Sequence, residues 1–364
     1  MANPKRIFIA ATMQNDGKTT VSMGLIMALK KRFSKIGFIK PIGQRYLVEE
    51  GYKVDEDSVL IEDICDLPCN LRDMSPIAIE KGFTEWYIRE GNRDNLINKI
   101  KESYDRVAYG MDLVIIEGTG HAGVGSCFDL SNAAVAKILD APVLLITSGG
   151  IGRPIDEVML NAALFEKEGV RLMGAVVNKV HTGKYDKVKQ LVQLGFERKG
   201  IHVYGVMPFK KLLSNPLVED VVESISGQVL CGKNNLGNVV DKILVGAMEP
   251  HEALQYIEDA SLIITPGDRE DIILASTGMH LACDSKVRIA GIVLTGGLMP
   301  HSDIIELVKM ADIPLVMAKG DTYSVASSVH DIVVKIKPND RTKVATAIEL
   351  IENYVNIDKL IGDL

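Results

Sequence analysis

The segment at residues 11–20 constrains the fold more than any other part of the chain. It reads Ala-Thr-Met-Gln-Asn-Asp-Gly-Lys-Thr-Thr, and it lies between an apolar run at residues 6–11 and a stretch with helical periodicity. A glycine followed by a lysine and a hydroxyl residue, placed between a strand and a helix, is typical of a phosphate-binding P-loop. Because such a loop joins a buried strand to a helix N-terminus, the segment predicts an α/β domain.

Strand and helix patterns alternate through residues 1–212. Between the first two apolar segments, side chains at Val21, Leu25, Leu29 and Phe33 recur every four residues and form one apolar stripe on a helix. This alternation predicts a mainly parallel sheet with helices on both faces. The predicted strands are residues 6–11, 36–40, 112–117, 142–147, 173–178 and 203–206.

A second α/β series follows the Asn-Pro pair at residues 215–216. Its predicted elements are strands at residues 242–245, 261–265, 289–294 and 315–317 and a final helix at residues 341–355. A chain of 364 residues is long enough for about two domains. We therefore expect a P-loop domain at residues 1–212 and a second, smaller α/β domain at residues 213–364 that includes the C-terminal helix.

Composition argues against two kinds of partner. A formal charge of -7 and a pI near 5.6 oppose a general nucleic-acid surface, which needs clustered Lys and Arg. No apolar run approaches the roughly 20 residues that cross a bilayer, so no membrane partner is expected. The five cysteines are scattered and odd in number, which favours a reducing, cytoplasmic setting.

The P-loop side chains have separate expected roles. Gly17 lets the backbone approach phosphate, Lys18 neutralises β- and γ-phosphate charge, and Thr19 offers its hydroxyl to Mg²⁺. The usual first glycine falls on Thr12, or on Ala11 in a loop longer by one residue. The alternative is a chance Gly-Lys-Thr helix start, which the preceding strand disfavours. The residues expected around a bound nucleotide are Gln14, Asn15, Asp16, Gly17, Lys18, Thr19 and Thr20.

Further polar side chains follow the predicted strands. Glu117 ends a buried strand, where it either holds Mg²⁺ or is a solvated strand end, and the P-loop favours the metal. Lys40 precedes Pro41 and is either a second cation at the same edge or an ordinary surface lysine. Asp55 and Asp57 are either solvated loop charges or a source of a second carboxylate for the metal.

The order of these motifs resembles the dethiobiotin synthetase family, which is related to the cobyrinic acid a,c-diamide synthases. The matching segments are the P-loop and residues 38–42, 54–57, 116–120 and 176–180. The resemblance implies ATP and Mg²⁺ as cofactors and a homodimer as the assembly. It places Lys18 and Lys40 beside the transferred phosphoryl group, and it assigns Mg²⁺ to Thr19, Asp57 and Glu117. It also implies that Asn178 reads the adenine edge and that Pro208, with residues 206–207, walls the base pocket.

Residues 264–271 and 294–297 resemble the DRTGG domain. A dethiobiotin-synthetase-like domain followed by a DRTGG domain resembles the front portion of long-form phosphate acetyltransferases. The residues after the last motif are too few for a separate domain, so we expect no acetyl transfer from this chain.

The DRTGG-like part offers a second candidate ligand site. Asp268 and Arg269 follow one predicted strand, and Thr295 and Gly296 follow another, so all four can line one pocket for a small metabolite. Arg269 can hold a carboxylate or phosphate of that metabolite. Equally, Asp268 and Arg269 can fix the loop by pairing with neighbours, because an arginine fork serves either purpose.

Two classes of function are open at this point. In the first, the chain binds ATP or another metabolite and reports it to a central-carbon enzyme, with slow hydrolysis at most; we favour this class. In the second, ATP phosphorylates a carboxylate or a carbamate, as in a ligase. Against dethiobiotin synthesis itself, Met13 and Gln14 replace the Asp and Thr that the family usually has there.

Overall fold

The computed structural model describes residues 3–282, 287–332, 334, 336–337 and 340–364. The chain forms two compact units. The first unit comprises Met1–Phe209 together with Ile336–Leu364, and the second comprises Lys210–Lys335.

Ten strands lie in the described part of the first unit. In chain order they are β1 (Lys5–Ala11), β2 (Ile36–Ile39), β3 (Ile42–Gly43), β4 (Tyr46–Glu49), β5 (Tyr52–Asp55), β6 (Ile77–Ala78), β7 (Leu113–Glu117), β8 (Val143–Ser148), β9 (Leu172–Val180) and β10 (Val203–Pro208). Six of them form one parallel sheet in the order β10-β9-β8-β1-β7-β2. The others form the parallel pair β3–β6 and the antiparallel hairpin β4–β5.

Helices connect these strands. In chain order they are α1 (Lys18–Leu29), α2 (Glu56–Cys65), α3 (Leu71–Met74), α4 (Phe83–Glu90), α5 (Arg93–Ala108), α6 (Asn132–Ile138), α7 (Gly152–Lys167) and α8 (Tyr185–Glu197). Their apolar sides cover the sheet in a core that contains Phe8, Ile116, Phe165 and Phe196.

Strand β1 is central to the sheet, and its segment from Ile7 to Ala11 is completely buried. Burial on both faces explains its continuous apolar run, because each face needs a covering layer of helices. Strand β1 lies between β7 and β8 in the sheet. After β1 the chain adds β2 and β7 on one side of it, and then reverses direction to add β8, β9 and β10 on the other side. Ligands of open parallel sheets bind at such a reversal, beyond the carboxyl ends of the strands. The P-loop occupies this position.

The second unit contains a mixed five-stranded sheet in the order β11-β15-β14-β13-β12. The strands are β11 (Gln228–Cys231), β12 (Lys242–Val245), β13 (Ser261–Pro266), β14 (Gly291–Thr295) and β15 (Leu315–Met317). Its helices are α9 (Lys211–Ser214), α10 (Val218–Ser224), α11 (Pro250–Ala253), α12 (Glu270–Leu281), α13 (Ser302–Met310) and α14 (Thr322–His330). Two apolar clusters, one around Ile292 and the other around Val293, give the sheet a core on each face.

The C-terminal helices α15 (Arg341–Tyr354) and α16 (Ile357–Gly362) belong to the first unit. Helix α15 packs along α1, where a Cβ at Gly24 would lie 2.5 Å from Ile351 Cγ1. Val355 forms an antiparallel bridge with Gly205 of β10. This corrects the expected domain at residues 213–364, because the apolar face of α15 is buried against α1 and β10 rather than within the second unit.

The predicted fold class is confirmed, as a mainly parallel sheet with helices followed by a smaller α/β unit. Each predicted strand overlaps an observed one, and the strands at residues 242–245 and 315–317 have the predicted bounds. The antiparallel edge strand β11 was not predicted. Among the residues that the structure describes, no helix is long and apolar enough to cross a membrane.

Candidate functional site

The P-loop follows β1 and ends where α1 begins at Lys18. Gly17 has a φ of 94°, in the left-handed region that favours glycine. A Cβ at this position would lie 2.4 Å from Asn178 Nδ2, so a side chain here would collide with β9. Gly17 is therefore required both by its backbone conformation and by the close approach of β9.

The end of β9 braces the P-loop from one side. Asn178 Nδ2 donates a hydrogen bond of 2.9 Å to the carbonyl of Asp16, and Lys179 Nζ donates one of 2.7 Å to the carbonyl of Asn15. Asn178 is buried, and its Oδ1 accepts from the Lys179 N–H. The described contacts of Asn178 support the loop backbone, and its expected role at the adenine edge stays a prediction.

Glu117 and Thr19, two of the three residues expected to hold Mg²⁺, are hydrogen-bonded to each other. Thr19 Oγ1 donates to Glu117 Oε1 over 3.1 Å. Glu117 is completely buried, and its Oε2 makes no hydrogen bond with any described residue. Burial raises the pKa of Glu117, while the nearby Lys40 lowers it. A buried carboxylate oxygen without a partner, next to a hydroxyl, fits the oxygen donors that Mg²⁺ prefers.

Lys40 lies among three carboxylates. Its Nζ is 2.9 Å from Asp55 Oδ1 and 3.8 Å from Glu117 Oε1, and it also contacts Asp57 Oδ2. Burial alone would lower the pKa of Lys40, but Asp57, Asp55 and Glu117 together raise it above its ordinary value. In the described part of the chain, no group of three or more His, Cys, Asp and Glu side chains is arranged to hold a metal. A Mg²⁺ ion here would therefore also depend on phosphate oxygens and water.

Lys18 is the second cation of the site. Its Nζ forms no hydrogen bond or ion pair with the residues that the structure describes, although Glu117 and Asp57 lie close enough to act on its charge. Burial lowers the pKa of Lys18, and Glu117 partly opposes that shift. An ammonium group without a direct partner, at the N-terminus of α1, is suited to bind phosphate.

The other predicted nucleotide-binding residues are more spread out. Gln14 and Asn15 are exposed and Thr20 is half-buried. Pro208 is buried at the end of β10, where it pairs with Val180 next to the residues of β9 that brace the P-loop. The structure thus brings Lys18, Thr19, Lys40, Asp57 and Glu117 into one cluster. The nucleotide contacts of all these residues stay predictions.

Sequence reasoning missed the polar network at the front of the P-loop. The side chains of Thr12, Asp16 and Glu157 meet there, and Thr147 closes the group from β8. Asn161, one turn after Glu157 on α7, donates to the Thr12 carbonyl over 3.3 Å. The i, i+4 spacing of Glu157 and Asn161 on α7 was a signal that could have indicated a polar stripe.

In the second unit, the arrangement of Arg269 matches the loop-fixing alternative. Its guanidinium forms a two-pronged ion pair with Asp271, with both N–O distances 2.9 Å, and donates to the carbonyl of Met248 over 2.8 Å. Asp268 is exposed. Thr295 is buried, and its hydroxyl lies 2.7 Å from that of Thr322. Gly296, like the preceding threonine, lies at the carboxyl end of β14, where its φ is 76°. Ligand binding by these four residues stays a prediction.

A parallel sheet with a P-loop at its reversal point, a lysine at the helix start and a buried carboxylate beside a hydroxyl defines a P-loop nucleotide-binding domain. The model of the AAA domain family AAA_26 matches residues 5–217, which is more than half of the chain, and the chain belongs to that family. The DRTGG domain model matches residues 220–332. The residues of α15 and α16 lie outside both matches.

The curated relatives are phosphate acetyltransferases. The enzyme from Nitratidesulfovibrio vulgaris is 28% identical over 364 residues, which cover 97% of this chain and 51% of that protein. The enzyme from Synechocystis sp. is 26% identical over 368 residues, covering 98% of this chain and 51% of that protein. The chain therefore spans about half the length of the curated relatives it matches, consistent with the N-terminal part of long-form phosphate acetyltransferases.

Solved structures show only distant similarity. The ATP complex of a McdA variant from Cyanothece has a TM-score of 0.39 and 13% identity, and the match covers 58% of this chain and 86% of that one. A score this low supports no argument about function.

Proposed function

We propose that this chain binds ATP with Mg²⁺ at the P-loop and acts as a regulatory or ancillary unit. The relatives' name suggests acetyl transfer as the activity that the bound nucleotide would influence. Bound Mg²⁺ would neutralise part of the triphosphate charge and orient its oxygens.

One observation carries the nucleotide proposal. Glu117 is fully buried, accepts a hydrogen bond from Thr19 and keeps its second oxygen without a partner among the described residues. Lys40 compensates part of the Glu117 charge from 3.8 Å, and a cation at the second oxygen would compensate the rest. Lys18, without a direct partner in the described part, supplies the charge that phosphate requires.

The surroundings of Lys40 support binding rather than transfer. A ligase would use this lysine to stabilise charge that develops on a transferred phosphoryl group. In this structure Asp55, Asp57 and Glu117 already neutralise it. Because these carboxylates compensate its charge, Lys40 is better suited to organising the binding site than to stabilising a transferred phosphoryl group.

A second candidate is an ATP-dependent ligase that activates a carboxylate or a carbamate. It is favoured by the close grouping of Lys40, Asp57 and Glu117, the side chains that the family resemblance assigns to phosphoryl transfer.

Calorimetric titration of MgATP into the wild type and Lys18→Ala tests the nucleotide proposal. Losing a charge-assisted hydrogen bond to phosphate is expected to weaken binding by about tenfold to a hundredfold. Lys101→Ala, which removes an exposed lysine from α5, is the control and should bind as the wild type does. Equal affinity in Lys18→Ala and the wild type would disprove the assignment.

ATP turnover separates the two candidates. We expect slow hydrolysis that does not respond to amines with bicarbonate or to carboxylates with glutamine. Robust stimulation by any member of either panel, lost in Lys40→Met, would favour the ligase and contradict a purely regulatory role.

A further inference from the structure

The front of the P-loop contains a cluster of polar side chains whose contacts with one another the proposed function does not explain. Thr12, Asp16 and Thr147 are buried, and Glu157 reaches them from α7. Thr12 Oγ1 lies 2.9 Å from Asp16 Oδ2 and 3.0 Å from Glu157 Oε2. It also lies 3.1 Å from Thr147 Oγ1. One hydroxyl therefore faces two carboxylates and a second hydroxyl.

The hydrogen-bond capacity of Thr12 restricts how this cluster can be protonated. A hydroxyl has one proton to donate and two lone pairs that accept. If Asp16 and Glu157 were both ionised, Thr12 could satisfy only one of them, and the other would face an oxygen without a proton between them. A single additional proton on one carboxylate removes this conflict.

Two contacts indicate which carboxylate holds the proton. Arg153 Nε donates to Glu157 Oε1 over 2.7 Å, so Glu157 has a cationic partner and Asp16 has no such hydrogen bond from a described side chain. Asp16 is the more buried of the two, and burial is the largest influence on its pKa, which it raises. The hydrogen bonds from Thr12 and the Met13 N–H and the charge of Lys18 lower this pKa, the charge of Glu157 raises it, and the pKa stays above its ordinary value. The charged groups that act on Asp16 are Glu157 and Arg153 from α7, Lys18 from α1 and Lys179 from β9.

We infer that Asp16 is a neutral positioning residue that donates to Thr12, which in turn donates to Glu157, so that α7 fixes the front of the P-loop. Thr147 then donates to the remaining lone pair of Thr12, and every polar group in the cluster is satisfied. The Met13 N–H donates to Asp16 Oδ2 over 2.8 Å, which adds the loop backbone to the same network. This inference rests on the proposed nucleotide binding only for its effect on affinity.

The inferred proton makes nucleotide affinity depend on pH. Ionised Asp16 would repel phosphate and break the network, so affinity for MgATP should fall as pH rises through the pKa of Asp16. We expect this decline in the wild type above the ordinary pKa of an aspartate, which is about 4. Asp16→Asn, which cannot ionise, should have a flatter profile, whatever its absolute affinity. The titration of ATP itself is common to all variants and cancels in the comparison.

Two further variants sharpen this experiment. Glu157→Gln removes the competing charge and should also flatten the profile. Asp105→Asn, which changes an exposed aspartate on α5, should keep the wild-type profile. A wild-type slope in Asp16→Asn would overturn the inference.

Thermal unfolding without nucleotide provides an independent readout. Because the pKa of Asp16 is raised in the folded state, its ionisation costs the wild type stability as pH rises from about 4 through the folded pKa. The Tm of Asp16→Asn should therefore rise relative to that of the wild type over that range, and a constant difference would contradict the inference. If no variant binds MgATP but this difference appears, the proposed function fails and the role of Asp16 stands.

Discussion

At the scale of single residues, the site depends on oxygens and ammonium groups that are removed from water. Glu117 is completely buried with one oxygen unpaired among the described residues, and Lys40 is compensated by three carboxylates. Each of these side chains would be costly alone, because an isolated buried charge loses its hydration. Their grouping supports the proposed binding of an anionic ligand together with a cation.

Gly17 gives a prediction at this scale. Alanine at this position must adopt a left-handed φ, at a cost of roughly 1–2 kcal/mol, and must also displace the Asn178 amide. We expect Gly17→Ala to lower the Tm and to weaken MgATP binding, measured by differential scanning fluorimetry and calorimetry. Gly152→Ala is the matched control, because a Cβ there meets no atom within 4 Å. If Gly17→Ala has the Tm and the MgATP affinity of the wild type, the loop is not held against β9.

The site could be predicted from the sequence only where a residue lies in a motif. Lys18, Thr19 and Glu117 follow strands in a recognisable order, and the structure brings them together. The distant partners of Thr12 could not be predicted, because Thr147 and Glu157 are more than 130 positions away and belong to no motif. Arg269 and Asp271 are close in sequence. Whether Arg269 pairs with Asp271 or is left available to a ligand depends on the loop geometry, which could not be predicted.

At the scale of elements, helix α1 is the most informative. The sequence predicts one apolar stripe, but α1 is buried on nearly all sides, including Met23, Gly24 and Ile26. The cause is α15, which covers the face that the sheet leaves open. Strand periodicity predicted the sheet well, because burial on both faces leaves continuous apolar runs. The edge strand β11, with a half-buried pattern, has no such signal.

A substitution at Gly24 tests the contact between α1 and α15. In an exposed helix, Gly→Ala stabilises by about 0.5–1 kcal/mol, and Gly278→Ala on α12 should do so because its Cβ meets nothing within 4 Å. At Gly24 the new Cβ would lie 2.5 Å from Ile351 Cγ1 and 3.0 Å from the Ala347 carbonyl. We expect overpacking to prevail and to destabilise by about 1–2 kcal/mol in chemical denaturation.

A double-mutant cycle provides the control for this substitution. In an Ile351→Ala background, the cost of Gly24→Ala should become smaller, because one of the two opposing groups is gone. Equal costs in both backgrounds would show that α15 does not pack on α1 as described.

At the scale of the whole molecule, the two units have separate apolar cores. The first unit includes the chain on both sides of the second, so the DRTGG unit is inserted within it. The family matches end at residue 332 and gave no indication that the following helices return to the P-loop unit. The packing of α15 and α16 on the first unit could not be predicted from the sequence, because an amphipathic helix does not necessarily pack against the elements that precede it in the chain.

Separate cores predict two unfolding transitions that respond differently to nucleotide. Trp86, the single tryptophan, lies on α4 and reports on the first unit only. MgATP at about 100 times its Kd should stabilise that unit by about 2.7 kcal/mol and raise the midpoint seen by Trp86 fluorescence. Circular dichroism should show a second transition that does not move. If both transitions shift equally with ATP, the units do not unfold separately.

The return of α15 to α1 has a consequence for how the protein is made. Lys31 of the α1 C-terminal turn pairs with Glu352, which is 321 positions later. At about 5–20 residues per second, the ribosome needs roughly 16 to 64 seconds to supply that partner. During this interval the apolar face of α1 has no cover from α15, while the intervening unit emerges and can fold. We therefore expect the nascent P-loop unit to expose an apolar face of α1 until α15 is synthesised.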